Sequence, residues 1–560
     1  MKLVAVFLGA VLGTGPFLAS DPLFASETCE SLGLRDVAAE RGLEFQHVAG
    51  RSAAKHLPET MGAGVAWLDY DNDGDMDLYT VQSGSYPPDG SPPHSSTTDG
   101  SAVASDRLWS NRGDGSFEDV TQQAGIDSRG YGQGVVAADV NGDGWTDLLV
   151  LNDGPDLFLE NQGDGTFADR TTDWNLATPG WSSAAAFNDA DGDGDLDLYV
   201  VRYVDYDPAD PLFCGDLDRG ERRYCDPSLF QGSKDAFLLQ DSGRFQSAPE
   251  APVSSGKGLG VVFVDLDGDR RPEIYVTNDI TPNHLLLNKT ESQETVFEDV
   301  SFFSGAAANR EGAYEAGMGI AVGDVDGDGD PDIGVTNFDV ETNTLYLNQG
   351  TLGGMPQLED VSAASGYGVP SFNLLGFGLI AADLDLDRDL DFYVANGHIF
   401  EQPQRKSVQF RQRDLLLLGD GRGAFQEVDC PVLAVDPQLG RGLAAGDPDN
   451  DGDLDLAVAN NDGPLQLREN TIEGDWLVVQ LAGAAPNAGA VGAAVELRTA
   501  GGQSLWRWVM AGDSYQSSSD PRVFLGLGDD NATSLQVEWP SGKRLRLVVP
   551  PTQRFLRFTE

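Results

Sequence analysis

Residues 69–77 read DYDNDGDMD, and the pattern Asp-x-Asp-x-Asp-Gly-x-x-Asp returns six more times along the chain. The later copies are DVNGDGWTD (139–147), DADGDGDLD (189–197), DLDGDRRPE (265–273), DVDGDGDPD (324–332), DLDLDRDLD (383–391) and DPDNDGDLD (447–455). Successive copies start 50 to 76 residues apart, a period typical of repeat architectures. These windows hold 32 of the 90 acidic residues, so the acid of this chain is patterned rather than spread.

The spacing describes an oxygen cage. Carboxylates at positions 1, 3, 5 and 9 and a backbone carbonyl at position 7 suit Ca²⁺, which takes about six to eight oxygens at about 2.3–2.6 Å. The expected ligands are Asp69, Asp71, Asp73, Asp75 and Asp77 in the first copy, and Asp139, Asn141, Asp143, Trp145 and Asp147 in the second. The third copy offers Asp189, Asp191, Asp193, Asp195 and Asp197; the fourth offers Asp265, Asp267, Asp269, Arg271 and Glu273. The fifth has Asp324, Asp326, Asp328, Asp330 and Asp332, and the sixth has Asp383, Asp385, Asp387, Asp389 and Asp391. The seventh has Asp447, Asp449, Asp451, Asp453 and Asp455. Up to seven structural Ca²⁺ ions are therefore expected. Without a cation, so many like charges on one loop would repel strongly.

An EF-hand is excluded. Its position 12 is a bidentate Glu, whereas here that position is Thr80, Val150, Val200, Val276, Val335, Val394 or Val458. The flanks, GVAWLD before the first copy and DLYTV after it, are β-branched and apolar and read as strands. The copies are unequal at position 6, where the fourth has Arg270 and the sixth Arg388 in place of Gly. A bulky residue there must take a costly positive φ or change the turn, so these two copies are expected to be the weakest sites. Asn141 lowers the charge of the second loop and makes it intermediate.

Two more signatures keep the same rhythm. Gly64, Gly134, Gly260, Gly319, Gly378 and Gly442 each stand five residues before a first Asp, as suits strands crowded around an axis. Strands of the Phe-x-Asp-Val type follow copies one to six, at Phe117, Phe167, Phe245, Phe297, Leu358 and Phe425. None follows copy seven, but a spare one, Leu34–Val37, precedes copy one. A seven-bladed β-propeller closed by an N-terminal strand, spanning 31–470, accounts for both facts; a linear solenoid needs no such strand. Arg112-Gly113-Asp114 sits in one of the repeated hairpins, where a turn explains it better than integrin binding. From 473 to 560 the acidic repeats stop and seven short alternating strands read as a small β-sandwich, completing an all-β chain.

The chain has 560 residues and a formal net charge of -54, which seven Ca²⁺ ions would reduce to -40. The acidity argues against nucleic acid, which requires clustered Lys and Arg, and against a polybasic membrane contact. Met1-Lys2 and an apolar run to about Ala19 read as a signal peptide within 1–26, cleaved between 19 and 26. A secreted, periplasmic or cell-surface location is expected, with no membrane span. Such a location permits disulfides. Cys214 and Cys225 bracket a polar loop and are the expected pair, with Cys29 and Cys430 a second pair suggested by topology.

HLPETMGAGVAWLDYDNDGDMDLY and the recurring loops resemble VCBS/FG-GAP repeats, units also seen in integrin α-chain propellers. NAGAVGAAVELR, GDSYQSSSDPRVFLGLG and VEWPSGK resemble the ASPIC/UnbV domain. Together they are similar to the cartilage acidic protein-like family. The resemblance covers nearly the whole mature chain and implies an extracellular calcium-binding propeller with no catalytic activity to carry over. No Cys-rich EGF-like module follows, as it does in some animal members, which points to a bacterial-type member.

The expected function is a monomeric, non-catalytic binding or adhesion module for an extracellular protein or glycan. The alternative is a propeller hydrolase or oxidoreductase with a site in the central channel. No G-x-S-x-G, H-E-x-x-H, P-loop or C-x-x-C-H motif supports it, and His47, His56, His94, His284 and His398 are scattered. The insert from 202 to 232, with its cysteine pair, is the longest departure from the repeat and a candidate recognition loop. Sequons stand at Asn288 and Asn531.

Overall fold

The computed structural model describes residues 32–87, 105–128, 130–177, 179–248, 255–291, 295–549 and 554–560. The expected signal peptide, Cys29 and His94 lie outside them.

Each acidic loop joins the first two strands of a four-stranded antiparallel sheet, and among the described residues there are seven such sheets. The first contains Val65–Leu68, Asp77–Thr80, Arg107–Asn111 and Phe117–Asp119 in that spatial order. The six Phe-x-Asp strands foreseen in the sequence are the fourth strands of sheets one to six. The seventh sheet takes its fourth strand from the other end of the chain: Arg35–Asp36 pairs with Gln466–Glu469, Arg35 opposite Glu469. Apolar and β-branched residues dominate the first two strands of each sheet, and both strands are buried on both faces.

The core lies between neighbouring sheets. Val136, Leu149 and Phe158 of the second sheet pack with Ala185, Phe187 and Leu198 of the third. Val65, Trp67 and Leu78 of the first pack with Ala444, Ala457 and Leu467 of the seventh. The first strands touch in sequence from sheet one to sheet seven, and that of sheet seven touches that of sheet one. Gly442 N–H donates to Ala63 O at 2.9 Å across this last junction. The repeated glycine is explained by these contacts: a Cβ on Gly319 would lie 2.0 Å from Phe377 O, and one on Gly64 2.4 Å from Gln516 O.

The C-terminal strands form a three-stranded and a four-stranded sheet around a shared core that includes Leu477, Val495, Val523 and Val537. Trp476–Ala482 pairs in parallel with Phe555–Thr559; the other pairings are antiparallel. This sandwich is docked on the repeats through its loop 511–520, which runs among the first strands of the sheets. Ala511 O accepts from Phe187 N–H at 2.9 Å, Ser514 N–H donates to Ile320 O at 3.1 Å, and Gln516 O accepts from Val135 N–H at 3.1 Å. Ser518 exchanges two backbone bonds with Val65 and Trp67, and Asp520 N–H donates to Ala445 O at 2.9 Å. Ser514 Oγ accepts from Leu379 N–H at 3.1 Å. Tyr515 is fully buried against Phe377, its hydroxyl donating to Met61 O. Strands that would otherwise face a gap thus have their polar groups satisfied by this loop.

No helix among the described residues is long and apolar enough to cross a membrane.

Candidate metal centres

The seven loops fold alike although their sequences differ. Position 6 is left-handed in every copy: φ is +95° at Gly74, +90° at Gly144, +100° at Gly194, +98° at Gly329 and +94° at Gly452. Arg270 at +74° and Arg388 at +94° accept the same conformation. Of the two outcomes open to these residues, the turn is kept and the strain is borne. Their N–H groups donate to the position 1 carboxylates, Asp265 and Asp383, at 2.8 and 2.9 Å, just as Gly74 N–H donates to Asp69. Position 4 is left-handed too, at Asn72, Gly142, Gly192, Gly268, Gly327, Leu386 and Asn450. Asn or Gly fills position 4 in six of the seven copies, a sequence signal for this left-handed turn.

Position 9 has a structural task in all seven loops. Asp77 accepts Tyr70 N–H at 3.0 Å and Asn111 N–H at 2.8 Å, tying the loop to the third strand. Asp147, Asp197, Glu273, Asp332 and Asp391 each accept the equivalent pair. Asp455 accepts Asn470 N–H at 2.7 Å. At position 5, the carboxylates of Asp73, Asp143, Asp193, Asp269, Asp328, Asp387 and Asp451 accept the N–H of position 7.

The carboxylates of each loop also converge on one another. Oxygens of Asp69, Asp71 and Asp77 lie within 4.8 Å of one another, and so do those of Asp189, Asp191 and Asp197, of Asp324, Asp326 and Asp332, and of Asp383, Asp385 and Asp391. In the fourth loop the group is Asp265, Asp267 and Asp269. Several Asp-rich clusters are thus able to hold a metal ion.

Their electrostatics call for a cation. Burial, with repulsion from the other loop carboxylates, pushes Asp69, Asp189, Asp265 and Asp324 up to about 6 and Asp77 and Asp332 up to about 8. Asp147, Asp197, Glu273, Asp391 and Asp455 are raised well above the usual carboxylate range, chiefly by burial. Asp195 Oδ1 and Asp383 Oδ1 are buried without a hydrogen-bond partner. Hard carboxylate oxygens, crowded and partly orphaned, fit a hard divalent ion.

The sequence reading missed a second device, which links the loops to each other. In five sheets an asparagine stands at the equivalent point of the third strand, at its end (Asn111, Asn161, Asn288), within it (Asn348) or just past it (Asn470), and its amide crosses to the position 2 carbonyl of the preceding loop. Asn161 Nδ2 donates to Tyr70 O, Asn288 to Ala190 O, Asn348 to Leu266 O and Asn470 to Leu384 O, at 2.8–2.9 Å. Asn111 Nδ2 donates to Pro448 O, joining the first sheet to the seventh loop. The same asparagine N–H groups are held by position 9. Loops one, three, four, six and seven are thereby coupled to the junction with the neighbouring sheet. Asn288 is fully buried in this role, so its sequon is no glycosylation site.

The sandwich covers this loop face. Gly526 N–H donates to Asp383 Oδ2 at 3.0 Å and Gly528 N–H to Leu386 O at 2.8 Å. Arg522 donates to Asp447 O and Asn450 Oδ1 of the seventh loop.

At the opposite ends of the sheets lies the insert. Its disulfide, Cys214–Cys225, is formed as expected. Tyr224 OH donates to the buried Glu59 at 2.9 Å and Arg222 to Ala54 O, so the insert packs on residues 54–59. Cys430 is buried and disulfide-bonded. His47 is bonded to Ser83 and Asp462, His56 to Tyr206 and His398 to Asp339 and Gln402, while His284 lies near Asp299.

Comparison with known proteins matches residues 483–560 to the ASPIC and UnbV family model and residues 95–150 and 139–200 to the FG-GAP-like repeat. Cartilage acidic protein 1 of Homo sapiens is 28% identical over 325 residues, 57% of this chain and 45% of that protein. The Xenopus tropicalis protein is 28% identical over 292 residues, 51% and 42% respectively. The chain is similar to cartilage acidic protein 1 and carries both kinds of segment. It spans less than half the length of the curated relatives it matches. Among solved structures, an Agrocybe aegerita lectin for non-reducing terminal N-acetylglucosamine shares 16% identity (67% of this chain, 81% of that one, TM-score 0.36). PorZ of Porphyromonas gingivalis shares 13% (87% and 59%, TM-score 0.39). Likenesses at this level carry no argument about this cartilage acidic protein 1-like chain.

Proposed function

We propose that residues 31–470 form a closed seven-bladed β-propeller, that residues 473–560 cap it, and that the whole is a secreted, calcium-stabilised, non-catalytic module binding an extracellular protein or glycan. The observation that carries this reading is the recurrent, partly buried carboxylate cluster with raised proton affinity. The circular contacts of the first strands and the Asn111–Pro448 bond support closure. Positions 1, 3, 5 and 9, with the position 7 carbonyl, would hold Ca²⁺ in all seven loops, including those with Arg270 and Arg388. The ion supplies the positive charge that lets these carboxylates stay ionised.

The enzyme alternative needs an open central channel. Loop 511–520 lies among the inner strands where such a channel would run, which favours the binding reading.

Sites of extracellular affinity, with Kd about 10⁻⁴–10⁻³ M, add about 0.4–1.4 kcal/mol each at about 1 mM calcium. Thermal melts in calcium and in EDTA test the reading. Chelation is expected to lower the midpoint by about 10 °C or more; an unchanged midpoint would remove calcium from the account.

A further inference from the structure

Between the sandwich and loops three, four and five lies a cleft of about 750 Å³. Ligand sites commonly measure about 300–1,000 Å³.

The sandwich wall of this cleft is laid out by strand register. Trp508 stands opposite Ala494, Ala494 opposite Glu538, and Glu538 opposite Arg544, so one row of side chains crosses the sheet. Trp506, two residues before Trp508, shares its face. Both indoles are partly exposed and line the cleft. Neither belongs to the apolar core of the sandwich, which uses Leu505 from the same strand. Glu538 accepts from Arg544 at 2.9 Å, and Arg270 of the fourth loop approaches it at 3.3 Å. The facing wall is made of acidic loops, including Asp189 and Asp330.

This combination selects among ligands. Two partly exposed indoles offer flat faces whose negative quadrupole attracts polarised C–H groups. The bonded trio of Glu538, Arg544 and Arg270 offers acceptors and donors at the edge of those faces. A pyranose ring has the matching halves, an apolar C–H face and a rim of hydroxyls. The acidic wall disfavours anionic ligands.

We propose that this cleft binds a neutral oligosaccharide, its sugar rings stacked on Trp506 and Trp508 and its hydroxyls bonded by Glu538, Arg544 and Arg270. The proposal rests on the calcium-stabilised binding reading above and names the ligand class and the place.

The test uses the full chain in calcium on an array of neutral, sialylated and sulfated oligosaccharides, followed by titration of the strongest neutral binder. Trp506→Ala with Trp508→Ala is expected to weaken that binding about tenfold or more, with Trp506→Phe retaining most of it. The calcium melting midpoint of each variant confirms that it is folded, and Arg544→Ala, at an exposed side chain, gives an independent weakening. Absence of any neutral binder, preference for anionic glycans, or unchanged binding by folded variants would overturn the proposal. If the parent melt still depends on calcium in those cases, the calcium reading stands and only the cleft assignment falls. A melt indifferent to EDTA removes the reading under both.

Discussion

The third and sixth acidic loops have the same turn and reach it under different constraints. Loop three has Gly192 and Gly194 at its left-handed positions and borders the open cleft. Loop six has Leu386 at φ +58° and Arg388 at φ +94°, and it lies under the sandwich. Leu386 is 5% exposed, and Gly526 packs so closely on it that a Cβ there would meet Leu386 Cα at 2.7 Å. Asp383 accepts both Arg388 N–H within the loop and Gly526 N–H from the sandwich. The comparison teaches that glycine is one way to hold this turn. A covering domain that fixes the backbone and buries the offending side chain is another.

The hardest way to break the comparison is to remove the cover. A chain ending at Asn470 uncovers Leu386, leaves Asp383 without its outer donor, and strips the inner strands of the hydrogen bonds made by loop 511–520. Loss of the cooperative melt seen with the full chain is expected, followed by circular dichroism in calcium. A truncated chain melting within a few degrees of the parent would mean that loop six holds its turn alone and that the sandwich is an appendage.

A gentler perturbation is proton release. Burial, with repulsion from its neighbours, raises Asp195 in loop three to about 8, and Asp383 and Asp385 in loop six to about 7. A carboxylate raised on folding binds more protons folded than unfolded between its two values, so stability falls as pH climbs through that interval. His47, lowered to about 4 by burial, works in the opposite direction only below its unfolded value near 6.5. Between pH 6.5 and 8 the carboxylates therefore act alone. In EDTA the melting midpoint is expected to drop by about 5 °C across this window, and in calcium to stay nearly flat. A flat EDTA profile would mean that the clusters are not strained by their charge.

Much of this was legible because its signals are local. The acidic loops set the period, the Phe-x-Asp strands marked the sheet ends, and the spare Leu34–Val37 segment announced the strand that completes sheet seven. The asparagine links were visible as residues but not as bonds, since Asn161 finds its partner, Tyr70 O, in the preceding repeat. Loop 511–520 was harder still. Its partners are backbone groups on strands about 75 to 450 residues away, and backbone groups leave no trace in side-chain patterns. The cover over loop six is hidden for the same reason: Leu386 and Arg388 contradict the local rule, and the contacts that tolerate them come from Gly526 and Gly528.

The finest test of the comparison exchanges the residues at position 6. A non-glycine residue in the left-handed region costs about 1–3 kcal/mol unless its surroundings hold it there. Gly194→Arg in loop three, where a Cβ would meet only the Pro486 ring of the sandwich within 4 Å, is expected to destabilise the folded chain by about 1–3 kcal/mol, read from denaturant midpoints in calcium. Arg388→Gly in loop six relieves strain, but it loses the approach of Arg388 to Asp530 at 3.6 Å and gives the unfolded chain more freedom. These effects oppose one another, and the net change is expected to stay within about 1 kcal/mol. Equal and large losses from both substitutions would show that the arginine is actively required in loop six. A clear gain from Arg388→Gly would show instead that the sandwich tolerates the strain without relieving it.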